Sequence, residues 1–334
     1  MTARSLYFAE PESVTVRERP VPDPGPGEVR VRTDLSAVSP GTELLVYRGK
    51  VPESMRADET IDALEGTLSY PLQYGYAAVG RVTALGEGVE ESWLDRRVFG
   101  FNPHESHFLA DPANLIATEL PTERALLLPN AEAAVNFAMD ARPRAGARVT
   151  VFGQGAVGLL TTAILAEFPL AELVAVDRVP ERREQARAFG VDRAVPPGEV
   201  DEAVSGDGPD IAIELSGSPA ALDEAIGVTA YAGRVVVGSW YGTKPAELDL
   251  GGRYHRSHIR MRSSQVSCVD PDHADRWDKE RRLAYVRSWL GEADADLSAL
   301  LTHRVPVEEA ATAYTMLENR EDGAIQVAFS YDRD

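Results

Sequence analysis

Short stretches that alternate apolar and polar residues fill the first hundred positions of the chain. Residues 28–33 alternate cleanly, as a strand with one buried face should. Residues 22–27 are all proline, glycine or aspartate and predict a loop before that strand. Further short apolar stretches lie at 75–82 and 96–101, bounded by Gly, Pro and Asp. This part of the chain is therefore predicted to be β-rich.

From about residue 125 the pattern changes to strands that alternate with helices. Helices are predicted at 155–168, 181–189 and 220–230, and Pro180 suits the start of the second one because a first helical residue needs no N–H partner. Strands are predicted at 149–152, 173–177, 211–215, 235–237 and 259–266. This alternation predicts an α/β fold with a doubly wound parallel sheet of the Rossmann type. The last residues, from about 277, predict helices and a final strand at 324–329.

Composition narrows the range of partners. The chain has 334 residues, of which 44% are hydrophobic, so it can bury a large core. Its net charge is −19, from 53 acidic and 34 basic residues. Such a surface repels phosphate backbones and anionic lipids, so we expect neither nucleic acid nor membrane as partner. No long apolar span and no signal segment is evident, which predicts a soluble, cytoplasmic protein.

The acidity has two interpretations. The protein is either simply an acidic soluble protein or one adapted to high salt. Lysine occurs only three times, at Lys50, Lys244 and Lys279, and the combination of low lysine with high acidity favours the halophilic interpretation. The single cysteine, Cys268, excludes an internal disulfide and a site built on several thiolates. We expect it to be a small buried apolar residue.

The run Gly153-Gln154-Gly155-Ala156-Val157-Gly158 has the spacing of a dinucleotide-binding loop. It follows one predicted strand and opens the next helix, which is the context that such a loop requires. Gly153 permits a tight turn, Gly155 lets the backbone approach a pyrophosphate, and Gly158 lets the helix pack against the strand. The helix N-terminus offers free N–H groups to the anion.

Acidic and basic residues near the end of the next strand bear on the choice of cofactor. Asp177, 24 positions after Gly153, can accept hydrogen bonds from ribose hydroxyls, which favours NAD. Arg178 and Arg182 follow it and leave NADP open. Ser216 lies directly after the predicted strand at 211–215 and is also predicted to bind the cofactor. The predicted cofactor-binding residues are Gly153, Gly155, Ala156, Val157, Gly158, Asp177, Arg178, Arg182 and Ser216.

Five stretches follow one another along most of the chain in an order typical of one family: 26–31, 41–43, 75–80, 153–158 and 233–238. On these stretches the chain resembles the medium-chain dehydrogenase/reductase family, whose members are alcohol dehydrogenase-like. The resemblance implies a GroES-like catalytic domain at 1–124 and 269–334, a Rossmann domain at 125–268, and a homodimer or homotetramer. Residues 39–49 are similar to the branch with the bacteriochlorophyllide hydroxyethyl dehydrogenases, which implies chemistry at a secondary hydroxyl.

The chain departs from the zinc-dependent members of that family. Those members carry a cysteine, a His-Glu pair and a third ligand where this chain has Pro40, Tyr76 with Ala77, and approximately Leu128. Zinc is bound by thiolate, imidazole or carboxylate, and Pro and Leu provide none of these. The four-cysteine structural zinc lobe is missing as well. The resemblance therefore implies a zinc-independent branch.

Three residues are candidates for the chemistry that zinc would otherwise assist. Thr42 falls where the family places a hydroxyl that contacts substrate, although it could instead bond the backbone of its loop. Tyr76 could donate to a substrate oxygen or simply fill the vacated metal space. Histidine is the side chain best suited to acid/base work near neutral pH, so His104 could be catalytic, with Glu105 or His107 to orient it, or it could belong to a surface histidine pair.

These observations predict an NAD(P)-dependent oxidoreductase that transfers hydride between nicotinamide and a hydroxyl/carbonyl substrate without catalytic zinc. The alternatives are a quinone or enoyl reductase of the same fold, and a non-catalytic dinucleotide-binding sensor or structural protein. Trp240 and Tyr241 are candidates for apolar walls beside the nicotinamide or for core packing. The cation-rich stretch 251–258 could close over substrate, form a dimer contact or pair with surface carboxylates.

Overall fold

The computed structural model describes residues 2–319 and 323–331. The chain divides into two compact units, one formed by 1–129 with 297–334 and the other by 130–296. The chain therefore returns from the second unit to the first at residue 297, whereas the family resemblance implied a return at residue 269. The difference arises because residues 279–292 form a helix that belongs to the second unit, where its Trp289 donates to Glu167.

The elements follow in chain order. The described strands are β1 Thr2–Glu10, β2 Ser13–Pro20, β3 Val29–Ala37, β4 Ala78–Leu85, β5 Arg97–Gly100, β6 His107–Ala110, β7 Leu115–Ala117, β8 Arg148–Phe152, β9 Glu172–Val176, β10 Arg193–Val195, β11 Ile211–Glu214, β12 Arg234–Val237, β13 Arg260–Ser263, β14 Leu301–Pro306 and β15 Gln326–Ser330. The described α-helices are α1 Pro40–Tyr47, α2 Thr122–Ala125, α3 Leu128–Ala141, α4 Ala156–Ala166, α5 Pro180–Ala188, α6 Val200–Ala203, α7 Pro219–Val228, α8 Lys279–Glu292 and α9 Ala310–Asn319. None of these described helices is long and apolar enough to cross a membrane.

The first unit is the GroES-like, β-rich part of the fold. Its main sheet runs in the order β14-β15-β3-β4-β5-β7, with β6 also paired to β3, while β1 and β2 form a separate hairpin. The predicted alternation in β3 is confirmed, because Val29 and Val31 are fully buried and Arg30 and Arg32 are half-buried. The two valines pack in a core beneath the sheet with Phe108.

The second unit is the Rossmann part, and the predicted parallel sheet is confirmed. All six strands run parallel in the order β10-β9-β8-β11-β12-β13. The order reverses direction between β8 and β11, and the carboxyl ends of strands at such a switch point form the usual ligand site of a doubly wound sheet. The glycine run follows β8 directly, and Ser216 lies two residues after the end of β11.

Some elements were not predicted. The hairpin of β1 and β2 lies at the N-terminus, and α1 occupies residues 40–47. Thr42 therefore lies in the first turn of a helix, and the expectation that it sits in a loop is wrong. Pro40 opens this helix, a position where the missing N–H of proline costs nothing.

Candidate functional site

The glycine run forms a tight loop between β8 and α4. Gly153 has a φ of +92°, and a Cβ on it would lie 2.6 Å from the backbone nitrogen of Ser216. A Cβ on Gly158 would lie 1.9 Å from the carbonyl oxygen of Gly153. Both positions therefore require glycine, one for the turn and for contact with the next strand, the other for close packing of the helix.

Gly155 differs from the other two glycines because the space beside it is open in the part of the chain that the structure describes. Apart from its chain neighbours and its own helix, a Cβ on Gly155 would meet no described atom within 4 Å. Gly155 is also the N-cap of α4, and no side chain caps this helix end. The first N–H groups of a helix lack partners within the helix, so the backbone of Ala156, Val157 and Gly158 is suited to an anion such as a pyrophosphate.

Asp177 follows β9 and is tied to the glycine loop. Its side chain is buried, with one carboxylate oxygen 2.7 Å from the N–H of Gln154 and the other 2.9 Å from the N–H of Val179. A carboxylate has about four acceptor sites, so these two bonds leave capacity for ribose hydroxyls. Asp177 therefore also organises the loop, a role that its position in the sequence did not predict.

The predicted arginines lie differently around this aspartate. Arg178 is exposed and Arg182 is half-buried. Arg183, which the sequence did not single out, donates to the backbone carbonyl of Asp177 at 2.8 Å. Its spacing of six residues from Asp177 crosses a turn and enters α5, so the contact depends on how the turn folds.

Glu214 is the residue at this sheet edge that sequence reasoning missed. It is fully buried at the end of β11, and one oxygen accepts from the Ser216 backbone N–H, the Ser216 hydroxyl and the Gly217 N–H, at 2.7, 2.6 and 2.9 Å. Its other oxygen accepts from the Tyr241 hydroxyl at 2.9 Å. Burial and the Glu214 carboxylate raise the pKa of Tyr241 well above its ordinary value. The signal available was an acidic residue at the carboxyl end of a strand beside the glycine loop.

In the first unit, the structure brings Thr42 and Tyr76 together with Ser39. The Tyr76 hydroxyl donates to the Ser39 hydroxyl at 2.5 Å and lies 3.4 Å from the Thr42 hydroxyl. All three residues are half-buried, and we call them the hydroxyl cluster. Burial raises the pKa of the Tyr76 phenol, with a further contribution from the Glu43 carboxylate, so the phenol stays protonated. Two of the three predicted catalytic residues are therefore neighbours.

His104 lies in a fully buried network behind this cluster. Its Nδ1 is 2.7 Å from the Ser36 hydroxyl and its Nε2 is 3.1 Å from the Glu43 carboxylate. Glu43 also accepts from the Tyr314 hydroxyl at 2.5 Å and from the Ser39 N–H at 2.7 Å. The histidine is 0% exposed, so the alternative of a surface histidine pair is wrong for this residue.

The expected orienting partners of His104 are replaced by others. Glu105 accepts instead from Ser5 and Arg19, while the ring of His104 is held by Ser36 and Glu43. The His104 ring also packs closely against Gly75, because a Cβ at this position would lie 2.7 Å from the ring. Gly75 has a φ of +108°, so both the contact and the backbone conformation require glycine here. With both ring nitrogens bonded to buried side chains, His104 can influence a substrate only through those side chains.

At the positions where the family resemblance implies zinc ligands, this chain has Pro40, Tyr76 with Ala77, and approximately Leu128, and none of these is a cysteine, a histidine or a carboxylate. Pro40 opens α1, while Ala77 and Leu128 are buried apolar residues. Within residues 2–319 and 323–331, no three His, Cys, Asp or Glu side chains are grouped so that they could hold a metal ion. The donor chemistry at these positions therefore does not fit a zinc ion.

Several other predicted features have simple structural roles. Arg253 of the cation-rich stretch donates to the carbonyls of Thr229 and Asp207 at 2.9 and 2.6 Å. Tyr241 packs against the core of the second unit, and Trp240 is half-buried. Cys268 is exposed, so the expectation of a buried cysteine is wrong.

Comparison with known proteins agrees with this fold. Residues 156–277 match the family model for zinc-binding dehydrogenases. The match supports the alcohol dehydrogenase-like, medium-chain type. The chain is 23% identical to the starvation-sensing protein RspB of Escherichia coli K12, over 98% of this chain and 99% of that protein. It is 26% identical to (R,R)-butanediol dehydrogenase of Bacillus subtilis, over 75% of this chain and 79% of that enzyme.

A solved structure shows the same fold. The alcohol dehydrogenase rspB from E. coli CFT073, complexed with NADH, superposes with a TM-score of 0.77 at 20% identity, over 98% of this chain and 99% of that one. The predicted combination of a Rossmann sheet and a GroES-like unit is thereby confirmed. The predicted zinc-independent branch and the similarity to bacteriochlorophyllide dehydrogenases stay predictions.

Proposed function

We propose that this protein is an NAD(P)-dependent oxidoreductase that acts on a hydroxyl/carbonyl group of a small molecule without catalytic zinc. The observation that carries the proposal is the glycine loop at the switch point of the Rossmann sheet, with open space beside Gly155 and an uncapped helix end. The relatives named above include alcohol dehydrogenases, and one was solved with NADH.

The cofactor would be held by the loop and by Asp177. The N–H groups at the start of α4 would bind the pyrophosphate, and the buried Asp177 carboxylate would bind the adenosine ribose. The bound nicotinamide supplies the hydride donor or acceptor. We propose NAD as the preferred cofactor because a carboxylate repels a 2′-phosphate, with NADP as the alternative because Arg178 and Arg182 lie close in sequence.

The hydroxyl cluster would handle the substrate oxygen. In the reducing direction the carbonyl carbon gains hydride while its oxygen takes a proton, and we propose that the neutral Tyr76 phenol, placed beside the Ser39 and Thr42 hydroxyls, hydrogen-bonds that oxygen and donates the proton. Ser39 and Thr42 would hydrogen-bond the same oxygen, or would pass a proton from solvent back to the Tyr76 phenolate that this step leaves. We propose that His104 is a positioning residue, because it braces Glu43, which in turn accepts from the backbone N–H of Ser39.

The test is the variant Tyr76→Phe, assayed by NADH oxidation with a panel of secondary alcohols and ketones. We expect kcat to fall about a hundredfold or more, the range for losing a general acid, with NADH affinity unchanged. Tyr74→Phe is the matched control, because it removes a phenol two residues away and outside the cluster. Full turnover of Tyr76→Phe with a quinone or enoyl substrate would favour the alternative reductase activity instead.

Two further measurements test the other parts of the proposal. Fluorescence titration should show tighter binding of NADH than of NADPH, and the reverse order would contradict the role given to Asp177. Elemental analysis of the active enzyme should find no stoichiometric zinc, and about one zinc per chain would refute the metal-free mechanism. Tight NADH binding without turnover on any carbonyl or quinone would indicate a sensor or structural protein.

A further inference from the structure

A row of cationic side chains crosses the main sheet of the first unit. In the strand register, Arg32 of β3 lies directly opposite Arg81 of β4, and Arg81 lies opposite Arg97 of β5. On the other side of β3, Arg32 lies opposite His107 of β6. Like charges directly opposite one another destabilise a sheet. Three arginines in one row are therefore unfavourable unless something neutralises them.

The row lines a cavity of about 420 Å³, which we call the arginine pocket. Arg4 and Arg304 complete a lining with five arginines, against two carboxylates, Asp34 and Glu123. Two of the arginines are neutralised, since Arg4 pairs with Glu308 and Arg304 with Glu123. By contrast, the three arginines of the row, Arg32, Arg81 and Arg97, form no ion pair with a described residue.

Among the described residues, no carboxylate forms an ion pair with Arg32, Arg81 or Arg97, although Glu123, the ion-pair partner of Arg304, also interacts electrostatically with Arg97. Arg81 donates to the carbonyl of Asp95 at 3.1 Å, and Arg97 to the carbonyl of Leu120 at 3.0 Å. In a chain with 53 acidic and 34 basic residues, carboxylates are abundant, so a row of three arginines without an ion pair among the described residues requires a reason. One such reason is that another molecule supplies the negative charge.

One polar atom of the row is itself unsatisfied. The Nε of Arg97 is buried and has no hydrogen-bond partner among the described residues. Buried polar atoms in proteins almost always have a partner.

We propose that the arginine pocket binds a small multivalent anion with phosphate or carboxylate groups. The planar guanidinium matches both groups in bidentate geometry, which makes arginine the preferred side chain for recognising them. The volume lies within the range of small-molecule sites. The pocket shares no residue with the glycine loop or the hydroxyl cluster, so this site is separate from the proposed oxidoreductase function.

The experiment is calorimetric titration of the full chain with inorganic phosphate and with citrate, against chloride at matched ionic strength. We expect saturable binding of at least one of them and about tenfold or greater weakening in Arg81→Gln, as for loss of a charge-assisted hydrogen bond. Arg30→Gln is the matched control. Arg30 lies on the same strand as Arg32, pairs with Asp23 outside the pocket, and should keep full affinity.

A melting experiment separates lost binding from misfolding. Without added anion, Arg81→Gln should melt no lower than the wild type, because it removes a repelling charge from the row. Absence of saturable binding to both anions, or equal binding by Arg81→Gln, would overturn the proposal. A dimer that dissociates in Arg81→Gln would also overturn it, since a second copy would then fill the pocket.

Discussion

Gly155 and Gly158 lie three residues apart and serve different purposes, which a pair of alanine variants can separate. Gly158→Ala would place a methyl group 1.9 Å from the Gly153 carbonyl, so the loop must distort. We expect a loss of about 1–3 kcal/mol of stability, typical of overpacking, together with weaker NADH binding. Urea unfolding and fluorescence titration would measure the two effects.

Gly155→Ala is the informative partner of that variant. Its methyl group would meet no atom of the described residues within 4 Å, its chain neighbours and its own helix aside, so stability should hardly change. NADH affinity should nevertheless fall, because the methyl group occupies the space proposed for the pyrophosphate. If Gly155→Ala bound NADH as tightly as the wild type, the proposed cofactor position would be wrong.

Among single residues, the sequence predicted those whose role depends on local backbone geometry. The glycines of the loop are such residues, because their requirement follows from spacing and from the turn itself. Glu214 and Ser39 were not predicted, because their roles depend on contacts with residues far away in the sequence or on the way the chain turns locally. Glu214, for example, accepts a hydrogen bond from the hydroxyl of Tyr241, which is 27 residues away in the sequence.

Helix α8 is fastened to α3 by a buried ion pair within the second unit. Arg282 is fully buried, donates to Glu132 at 2.8 Å and to Asn136 at 2.6 Å, and also bonds the Val266 carbonyl. Burial raises the pKa of Glu132 although Arg282 opposes that shift. The pair therefore combines a large desolvation cost with several hydrogen bonds, and each partner depends on the other.

Arg282→Met should lower the free energy of unfolding by about 3–5 kcal/mol, because it leaves Glu132 buried without a counter-charge. The double variant Arg282→Met with Glu132→Met should recover most of this loss, since neither charge then remains. Urea unfolding of the two variants and of wild type measures the difference. Equal instability of the single and double variants would show that packing, rather than the unpaired charge, is responsible.

Helix and strand positions were predictable to within a few residues where the pattern is periodic, as in β3 and α5. The hairpin of β1 and β2 and the helix α1 were missed. In α1 the run Pro-Gly-Thr at residues 40–42 resembles a turn, and only the contacts made by its C-terminal part show that it is a helix. There Glu43, Leu45 and Val46 are buried.

The stability of the whole molecule should decline in alkali. Burial raises the pKa of Tyr74, Tyr314 and Tyr331 above their ordinary value near 10. The native state then keeps protons that the unfolded chain releases, so the stability is fully present below about pH 10 and falls above it.

Urea unfolding between about pH 8 and 11 would measure this decline. Tyr331→Phe should make the decline less steep, because one fewer proton is linked to unfolding. A midpoint that does not change above pH 10 would contradict the expectation.

The net charge of −19 leads to a prediction about salt. Repulsion among carboxylates destabilises the compact state and is screened by ions. We expect the melting temperature to rise between dilute buffer and molar potassium chloride. The control is an uncharged osmolyte at the same pH, which does not screen charge. Equal melting temperatures in dilute buffer and molar salt would rule out the halophilic interpretation.

The sequence by itself determined the alternation of strands and helices, the glycine loop and the lack of zinc donors at Pro40 and Leu128. These features follow from periods of two and 3.6 residues and from residue chemistry, which are properties of short segments. The tertiary structure decided that His104 is buried against Glu43, 61 residues away, and that Arg32, Arg81 and Arg97 form one row. Those arrangements depend on strand register and long-range contacts, which no single segment encodes.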